Sequence, residues 1–371
     1  MNATVHAMPE RNRSIDIWRL VCAVSALLVH ARFWEDINQP FYNWIVNYVL
    51  GRYVVQFFIL VSGFFFFKAL RRGNNTFRTQ FPRLLKIYLL WTVVYYSASF
   101  VLSVVVNRVP LSTFLVERVV FFFTQGGYPH LWFFPSLLYP MLLVALVNRL
   151  AGERGVFVLS LIGIPLYLIG ALGSAYYPLF ERVPLLSSLY AWAGFADLRN
   201  ILFIGLPSFT LGYLLNRWER PLARLKNRTL LVALGVCVAL YVAEAYVAVF
   251  HFKGLERAQA PLLVYPLVGV LLLTLLRYPM PKLAEFSEFA RRQANFIYFL
   301  HPLILAVVYF GAGLFSVTLH SFVVTAIVLG VPVLAGWALI RVNRPWADTL
   351  LGLPAPRRKA VSAGQPAQPG A

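Results

Sequence analysis

Long runs without a charged residue dominate the pattern of this chain. The runs 87–107, 119–148, 155–180 and 293–340 contain no Asp, Glu, Lys or Arg. A membrane-spanning helix needs about 20 apolar residues, so the last run is long enough for two. Stretches such as 57–61 lack the alternation that is typical of barrel strands, which leaves helices as the way to satisfy the backbone in lipid. The pattern predicts an all-α, polytopic integral membrane bundle.

The same runs predict about ten transmembrane helices. These lie near residues 14–33, 49–70, 83–106, 131–149, 155–173, 199–216, 229–250, 261–277, 295–315 and 320–341. The stretch 111–125 suits either an interfacial helix or half of another span. Since no loop exceeds about thirty residues, any chemistry must take place within the bundle. We expect one transmembrane domain over residues 1–345 and a disordered cytoplasmic tail over the Pro-, Ala-, Gly- and Gln-rich residues 346–371.

Composition and charge add an orientation. Of 371 residues, 60% are hydrophobic and 13% are charged, which is too apolar for one water-soluble core. The net charge is +19, and 24 of the 33 basic residues fall on the side of the amino terminus. Arg19 lies within the first span, and eight basic residues lie opposite: Arg32, Arg52, Arg108, Arg118, Arg182, Arg199, Lys253 and Arg257. Because basic residues concentrate in cytoplasmic loops, we expect both termini in the cytoplasm, a multi-pass protein of the plasma (inner) membrane, and no nucleic-acid partner.

The first span and the cysteines exclude some classes of protein. The first apolar segment lacks a small-residue cleavage site and contains Arg19, which favours a retained span over a signal peptide. Cys22 and Cys237 both fall in apolar stretches, where a cysteine behaves as a small hydrophobe. The sequence therefore indicates neither a disulfide framework nor a metal site.

Ionisable residues inside spans are costly and are candidates for function. Arg19 and His30 are eleven residues apart, so they lie on nearly the same helix face with about 16 Å between them along the axis. Asp16 lies one turn before Arg19 on that face, although an Asp16–Arg19 pair can also be a simple ion pair at a helix end.

Several motifs resemble, in order, those of a known family. They are SIDIWRLVCAVSALLVH (14–30), FFILVSGFFFF (57–67), RLLKIY (83–88), HLWFFPSLLY (130–139), GLPSFTLGYLL (205–215) and IYFLHPLIL (297–305). Together they resemble the membrane acyltransferase 3 family, which includes bacterial O-acetyltransferases that decorate surface polysaccharides. The resemblance covers residues 13 to about 341, and its most specific element is the Arg19/His30 pair. Lys86 stands where the basic motif of the family has a second Arg, so the planar fork of a guanidinium is lost there.

The resemblance implies transfer of an acyl group, commonly acetyl, from cytoplasmic acyl-CoA to a hydroxyl of a cell-envelope glycan or its lipid-linked precursor. Acyl-CoA would be a co-substrate, and no bound cofactor is implied. In this interpretation His30 is the general base, because an imidazole can accept the hydroxyl proton near neutral pH. Arg19 would anchor the donor or stabilise the developing oxyanion, and Asp16 would orient Arg19.

The remaining candidates fall into two groups. Arg83, Lys86 and Tyr88 would bind the donor at the cytoplasmic face, where the positive-inside rule is the competing explanation for the charges. The candidates for the acceptor side or the pocket are His130, Trp132, Glu244 and His301. For these the alternatives are an aromatic belt at His130, a water-exposed Glu244, and at His301 a hydrogen bond to the backbone that Pro302 interrupts. We expect His301 in the inner half of the membrane and His30, His130 and Glu244 towards the outer half.

Two other functions fit the same topology. A transporter or flippase for a small solute or a lipid-linked sugar would have several spans and few buried charges, with inverted repeats that are not evident here. A sensor or scaffold without catalysis would tolerate replacement of Arg19 and His30. The oligomeric state is not encoded in these patterns.

Overall fold

The computed structural model is a bundle of helices. It describes residues 12–73, 76–180, 182–185, 187–188, 199–252, 260–342 and 344–353, and this part of the chain contains no strand. Its main helices are α1 (Arg13–His30), α2 (Val54–Leu70), α3 (Thr76–Phe100), α4 (Leu111–Thr124), α5 (Phe133–Leu172), α6 (Leu206–Arg217), α7 (Asn227–Phe250), α8 (Val264–Arg277), α9 (Ala284–Leu314), α10 (Ser321–Val342) and α11 (Pro345–Leu350). Shorter helical segments join several of them.

Length and apolar composition identify candidate spans within the described residues. Six helical stretches are long and apolar enough to cross a membrane: Gln39–Leu70, Thr76–Val106, Leu111–Leu172, Asn227–Phe250, Pro281–Leu314 and Ser321–Val342. The prediction of an all-α, multi-pass membrane protein is therefore confirmed. The number of ten spans and the cytoplasmic position of the termini stay predictions.

α1 and α9 run side by side in the same direction. At their first turns, Arg13 donates a hydrogen bond to the carbonyl of Pro281, just before α9. At the other end, His30 packs against His301. α9 begins at Ala284 rather than near residue 295, so His301 lies 17 residues along α9, just as His30 lies 17 residues after Arg13. The expectation that His301 belongs to a different half of the membrane from His30 is wrong, because it rested on a helix start placed too late.

α2 and α6 cross through two glycines. A Cβ on Gly63 would lie 2.3 Å from the carbonyl oxygen of Phe209, and one on Gly212 would lie 2.4 Å from the backbone nitrogen of Phe64. Small residues allow helices in membranes to approach this closely. Two of the sequence blocks that resemble the acyltransferase family, 57–67 and 205–215, therefore contact each other.

α4 is a half-length helix that turns back along α3. The hydroxyl of Tyr96 on α3 donates to the carbonyl of Arg118 on α4, and the hydroxyl of Tyr88 donates to the carbonyl of Phe122, each at 2.5 Å. The earlier residue on α3 thus contacts the later residue on α4, so the two helices are antiparallel. After α4 the backbone leaves the α-helix before α5 begins. The two alternatives for this stretch, an interfacial helix or half of a span, stay predictions.

The described part of the carboxy-terminal tail is ordered into the bundle. Residues 346–353 were expected to be disordered, but Pro345–Leu350 is helical, and Ala347 and Leu351 are each 1% exposed. The reason is that Ala347, Leu351 and Leu353 bury apolar surface, which the composition of the whole tail conceals. The rest of the predicted tail lies outside the described residues.

Candidate active site

Three histidines from distant parts of the chain meet inside the bundle. His30 is the last residue of α1, His130 lies in the short 3-10 helix Pro129–Trp132, and His301 lies in α9. The ring centroid of His301 is 5.2 Å from that of His30 and 5.9 Å from that of His130. Tyr298 packs edge-on against His130 and His301, at 5.7 and 5.9 Å. We call these three imidazoles the histidine cluster.

A glycine turn positions His130. Gly126 has φ +73°, a left-handed conformation that favours glycine, and a Cβ there would lie 2.5 Å from the carbonyl carbon of Leu131. The hydroxyl of Tyr88 accepts a hydrogen bond from the Gly127 amide at 3.1 Å. Irregular backbone inside a membrane protein is tolerated where it lines a cavity, and this segment does so.

The three imidazoles differ in their partners. Nδ1 of His301 lies 3.0 Å from the carbonyl of Ile297, and since a carbonyl only accepts, Nδ1 carries the proton and a neutral ring has its lone pair on Nε2. Nε2 of His301 and both ring nitrogens of His130 are buried and have no hydrogen-bond partner among the described residues. His30, by contrast, presents accessible surface to the cavity that the glycine turn lines. Buried polar groups without partners are rare and call for an explanation such as a ligand or a bound water.

Two members of the histidine cluster, His30 and His130, border a cavity of about 710 Å³, which we call the histidine cavity. Among the described residues its lining contains no Asp or Glu. Its polar and aromatic lining includes His30, Asn47, Arg52, Gln56, Ser99, Ser103, Arg118, Gln125, Tyr128, His130, Trp132, Asn200 and Tyr298. The lining thus offers imidazoles, amides and two guanidinium groups.

A second cavity, of about 1120 Å³, opens at the other end of α1, and we call it the basic cavity. Its charged lining is Arg13, Asp16, Arg19, Lys68, Arg72, Arg83, Glu219 and Glu288. Two of the carboxylates pair locally: Lys68 Nζ lies 2.5 Å from Glu219, and Arg19 lies 3.8 Å from Asp16. With five basic groups against three acidic ones, this cavity suits a ligand with several negative charges.

The predicted pair Arg19 and His30 therefore faces two cavities rather than one. Among the described residues, the two cavities share no lining residue. The rise of about 1.5 Å per residue separates the two side chains by about 16 Å along α1. Both residues line cavities, but they do not line the same one, because buried residues such as Cys22 and Phe57 lie between the two on α1 and α2.

The structure brings together some of the other predicted residues and leaves three apart. Arg83 and Asp16 line the basic cavity, and Trp132 lines the histidine cavity. Lys86 is exposed and lines neither cavity. Tyr88 is buried between Phe122 and Phe134, where it holds the glycine turn instead of a donor. Tyr88 is close to Arg83 in sequence, but its packing against the two phenylalanines keeps it out of the lining of the basic cavity.

Glu244 has a structural position. Its carboxylate accepts hydrogen bonds from the amides of Leu262 and Leu263, at 2.6 and 3.0 Å, and from the hydroxyl of Tyr176, at 2.5 Å. These amides precede α8, whose first amides lack partners within the helix, so the carboxylate caps the helix. Glu244 does not line the histidine cavity. Its expected place on the acceptor side is thus corrected.

Sequence reasoning missed two arginines of the histidine cavity, Arg52 and Arg118. A signal was present, because both belong to the eight basic residues that oppose the general charge asymmetry. Among the described residues, no group of three or more His, Cys, Asp or Glu side chains could hold a metal ion.

Comparisons with known proteins give the family. The chain matches the family model of an acyltransferase domain over residues 12–341. An amino-acid racemase of Enterococcus faecalis is 25% identical over 314 residues, which are 81% of this chain and 42% of that protein. A serine/alanine racemase of Enterococcus gallinarum is 24% identical over 325 residues, 86% of this chain and 44% of that protein. The chain therefore spans less than half the length of these relatives, and no solved structure matches it. Because the family model covers nearly the whole chain, the protein belongs to the acyltransferase 3 family of membrane acyltransferases.

Proposed function

We propose that this protein is an integral membrane O-acyltransferase. It moves an acyl group, most simply acetyl, from acyl-CoA in the basic cavity to a hydroxyl of a cell-envelope glycan or its lipid-linked precursor in the histidine cavity. The observation that carries the proposal is the pair of cavities at the two ends of α1, one rich in cations and the other bordered by His30 and His130, which pack against His301. The setting is the plasma membrane, with the basic cavity facing the cytoplasm.

The donor is held through its phosphates. Coenzyme A carries several phosphate charges, and Arg13, Arg19, Lys68, Arg72 and Arg83 supply the opposite charge. Since Arg19 lies about 16 Å from His30 along the helix, its position supports anchoring of the donor rather than stabilisation of an oxyanion beside His30. The thioester reaches the histidine cluster when the layer between the cavities opens.

The acyl transfer itself is a single displacement. His30 takes the proton of the acceptor hydroxyl as that oxygen attacks the thioester carbonyl. The carbon–sulfur bond then breaks, and the proton passes from His30 to the leaving thiolate. The products are an ester on the acceptor and the free thiol of coenzyme A. His301 lies against His30 and is a positioning residue in this scheme.

The donor site is tested by kinetics of purified protein in lipid nanodiscs. Release of coenzyme A thiol from acetyl-CoA is followed with an envelope glycan fraction as acceptor. Arg19→Ala and Arg83→Ala should each raise the KM for acetyl-CoA about tenfold or more, because each removes a charge-assisted contact. Arg78→Ala, on α3 but outside the cavity lining, is the control for loss of one positive charge. An unchanged KM in both cavity variants would contradict the donor site.

The general base is tested by His30→Gln, which keeps hydrogen bonding but cannot accept a proton. We expect kcat to fall about 100- to 10,000-fold, the range for loss of a general base, with little change in the KM for acetyl-CoA. Mass spectrometry of surface glycans with and without the protein would identify the acyl group and the acceptor. Wild-type turnover in a folded His30→Gln protein would remove the catalytic assignment.

A second candidate is a carrier for a small solute or a lipid-linked sugar. The specific observation in its favour is that the two cavities share no lining residue within the described part of the chain, as expected for alternating access. Uptake of labelled solute into vesicles that lack any acyl donor would favour it over the transferase. Racemisation is not proposed, because the names of the relatives describe proteins more than twice as long as the matched region.

A further inference from the structure

An apolar groove of about 630 Å³ runs along the surface between α3 and α4. Val93 is 64% exposed, Val119 is 59% exposed and Phe123 is 56% exposed along this groove. In a membrane-spanning bundle these side chains contact lipid tails. A groove of this kind suits a hydrocarbon chain better than a polar solute.

Arg118 joins this groove to the histidine cavity. Among the described residues, it is the only charged residue in the lining of the groove and the only residue that lines both the groove and the histidine cavity. Its guanidinium packs over the rings of Phe114, Phe121 and Tyr96, with centroids 5.2, 5.5 and 5.9 Å away. Its side chain is only 19% exposed. A guanidinium that is largely buried in a membrane-spanning bundle is costly, which favours a charged or polar partner.

The partners that the described residues supply to Arg118 are few. Glu117 lies 3.8 Å away and is itself 51% exposed, and Nε of Arg118 has no hydrogen-bond partner within the described chain. Arg52 lines the same cavity and donates one hydrogen bond to Asn47 at 2.9 Å, while its Nε also has no partner in that part of the chain. Two guanidinium groups therefore face a cavity whose described lining contains no carboxylate. An anionic ligand in this cavity would supply acceptors for the Nε atoms of both arginines.

We propose that the acceptor is a sugar linked through phosphate to a long isoprenoid lipid, and that it enters sideways from the membrane. The hydrocarbon lies in the groove between α3 and α4, the phosphate pairs with Arg118 and Arg52, and the sugar extends into the histidine cavity towards His30. The apolar groove, the partly buried Arg118 and the imidazole of His30 follow one another in the order of the lipid, phosphate and sugar of such a molecule. The inference rests on the proposed function, because it names the class of its acceptor.

The test is a binding experiment that needs no turnover. Wild-type protein in phosphatidylcholine nanodiscs is titrated with fluorescent undecaprenyl phosphate. Arg118→Ala should weaken binding about 10- to 100-fold, the effect of losing a buried charge-assisted contact. Arg118→Lys, which keeps the charge, should weaken it less. Val119→Trp, which fills the groove, should weaken binding while Arg118 is intact, and Arg108→Ala, outside both linings, should leave it unchanged.

Competition separates the possible occupants. Farnesyl phosphate should displace the probe, whereas inorganic phosphate and phosphatidylglycerol should not. Equal displacement by inorganic phosphate would mean that the groove contributes nothing, and equal displacement by phosphatidylglycerol would make the occupant an ordinary anionic lipid, so either result overturns the proposal. Equal binding by wild type, Arg118→Ala and Val119→Trp, all with unchanged melting temperatures, would overturn it as well. Failure of acyl transfer would not alter this result, so the two proposals fail separately.

Discussion

At the residue scale, a side-chain hydrogen bond determines which ring nitrogen of His301 carries the proton. The hydrogen bond from Nδ1 of His301 to Ile297 fixes the tautomer of a ring that precedes Pro302, where the helix lacks one amide donor. The sequence left open that His301 forms a hydrogen bond to the backbone, and the structure contains such a bond. The same bond leaves Nε2 as a lone-pair acceptor beside His30.

Gly126 offers a sharp test of how the turn positions His130. Gly126→Ala should lower both the melting temperature and the acyl-transfer rate, because a left-handed alanine costs about 1–2 kcal/mol and its Cβ would also meet the backbone at Leu131. Differential scanning fluorimetry and thiol release would measure the two effects.

The matched control is Gly73→Ala, since Gly73 has φ +76° but nothing within 4 Å of the added Cβ. That variant should lose stability through conformation alone and keep its activity. Equal effects of the two substitutions on activity would show that the turn does not position the site.

At the element scale, helix starts and breaks decide which residues meet. The earlier start of α9 brings His301 level with His30, and the antiparallel half-helix α4 delivers the glycine turn to the interior. Neither feature can be read from the hydropathy of the sequence. Both depend on packing against neighbouring helices.

The cap of α8 gives a prediction for Glu244. Glu244→Gln should lower stability by about 1–3 kcal/mol, because an amide replaces a carboxylate that accepts from two backbone amides and a tyrosine hydroxyl. Activity per folded molecule should be retained. A loss of activity without a loss of stability would support the original prediction that Glu244 contacts the acceptor. Glu285→Gln serves as the control for an exposed carboxylate.

A second prediction concerns the loop after α1, which contacts the first residue of α10. Asp36 accepts hydrogen bonds from the hydroxyl and the amide of Ser321, the first residue of α10, at 2.5 and 2.8 Å. The hydroxyl of Ser321, followed by its amide, lowers the pKa of the Asp36 carboxyl. A lowered carboxyl pKa means that the folded state binds fewer protons, so the stabilisation exists above the ordinary value of about 4 and is lost as the pH falls through the lowered value.

Asp36→Asn should therefore melt at a lower temperature than wild type at pH 7. The difference should shrink below about pH 4, where the wild-type carboxyl begins to protonate. Melting curves across pH 3–8 would measure this, with Glu35→Gln, which keeps the Ser321 contacts of Asp36, as the control. A difference that is independent of pH would contradict the role of the charge.

At the scale of the whole molecule, the two cavities define two sides. Asn47 lines the histidine cavity and Gln80 lines the basic cavity, so each can report on one side. In a Cys22→Ala/Cys237→Ala background, Gln80→Cys should react with a membrane-impermeant thiol reagent in inverted vesicles and Asn47→Cys in right-side-out vesicles. Mass-shift labelling on gels measures this, and reaction of both cysteines from the same side would contradict the proposed orientation.

The sequence by itself determined that this chain folds in a lipid bilayer. Charge-free runs of 20 and more residues without strand alternation predict helices in lipid, and that conclusion needs no knowledge of which helices touch. The periodicity of a helix also placed Arg19 and His30 on one face, and the order of the motifs indicated the family that the family match then showed. These conclusions rest on local sequence patterns, which can be read without the tertiary structure.

Only the tertiary structure decided which polar residues share a site. His30, His130 and His301 are up to 271 positions apart, and their meeting depends on the start of α9 and on a turn inside the bundle. The separation of Arg19 from His30 into two cavities, the cap at Glu244 and the burial of Tyr88 follow from packing between helices. Hydropathy records how apolar a segment is, whereas contacts depend on where each helix begins, breaks and faces.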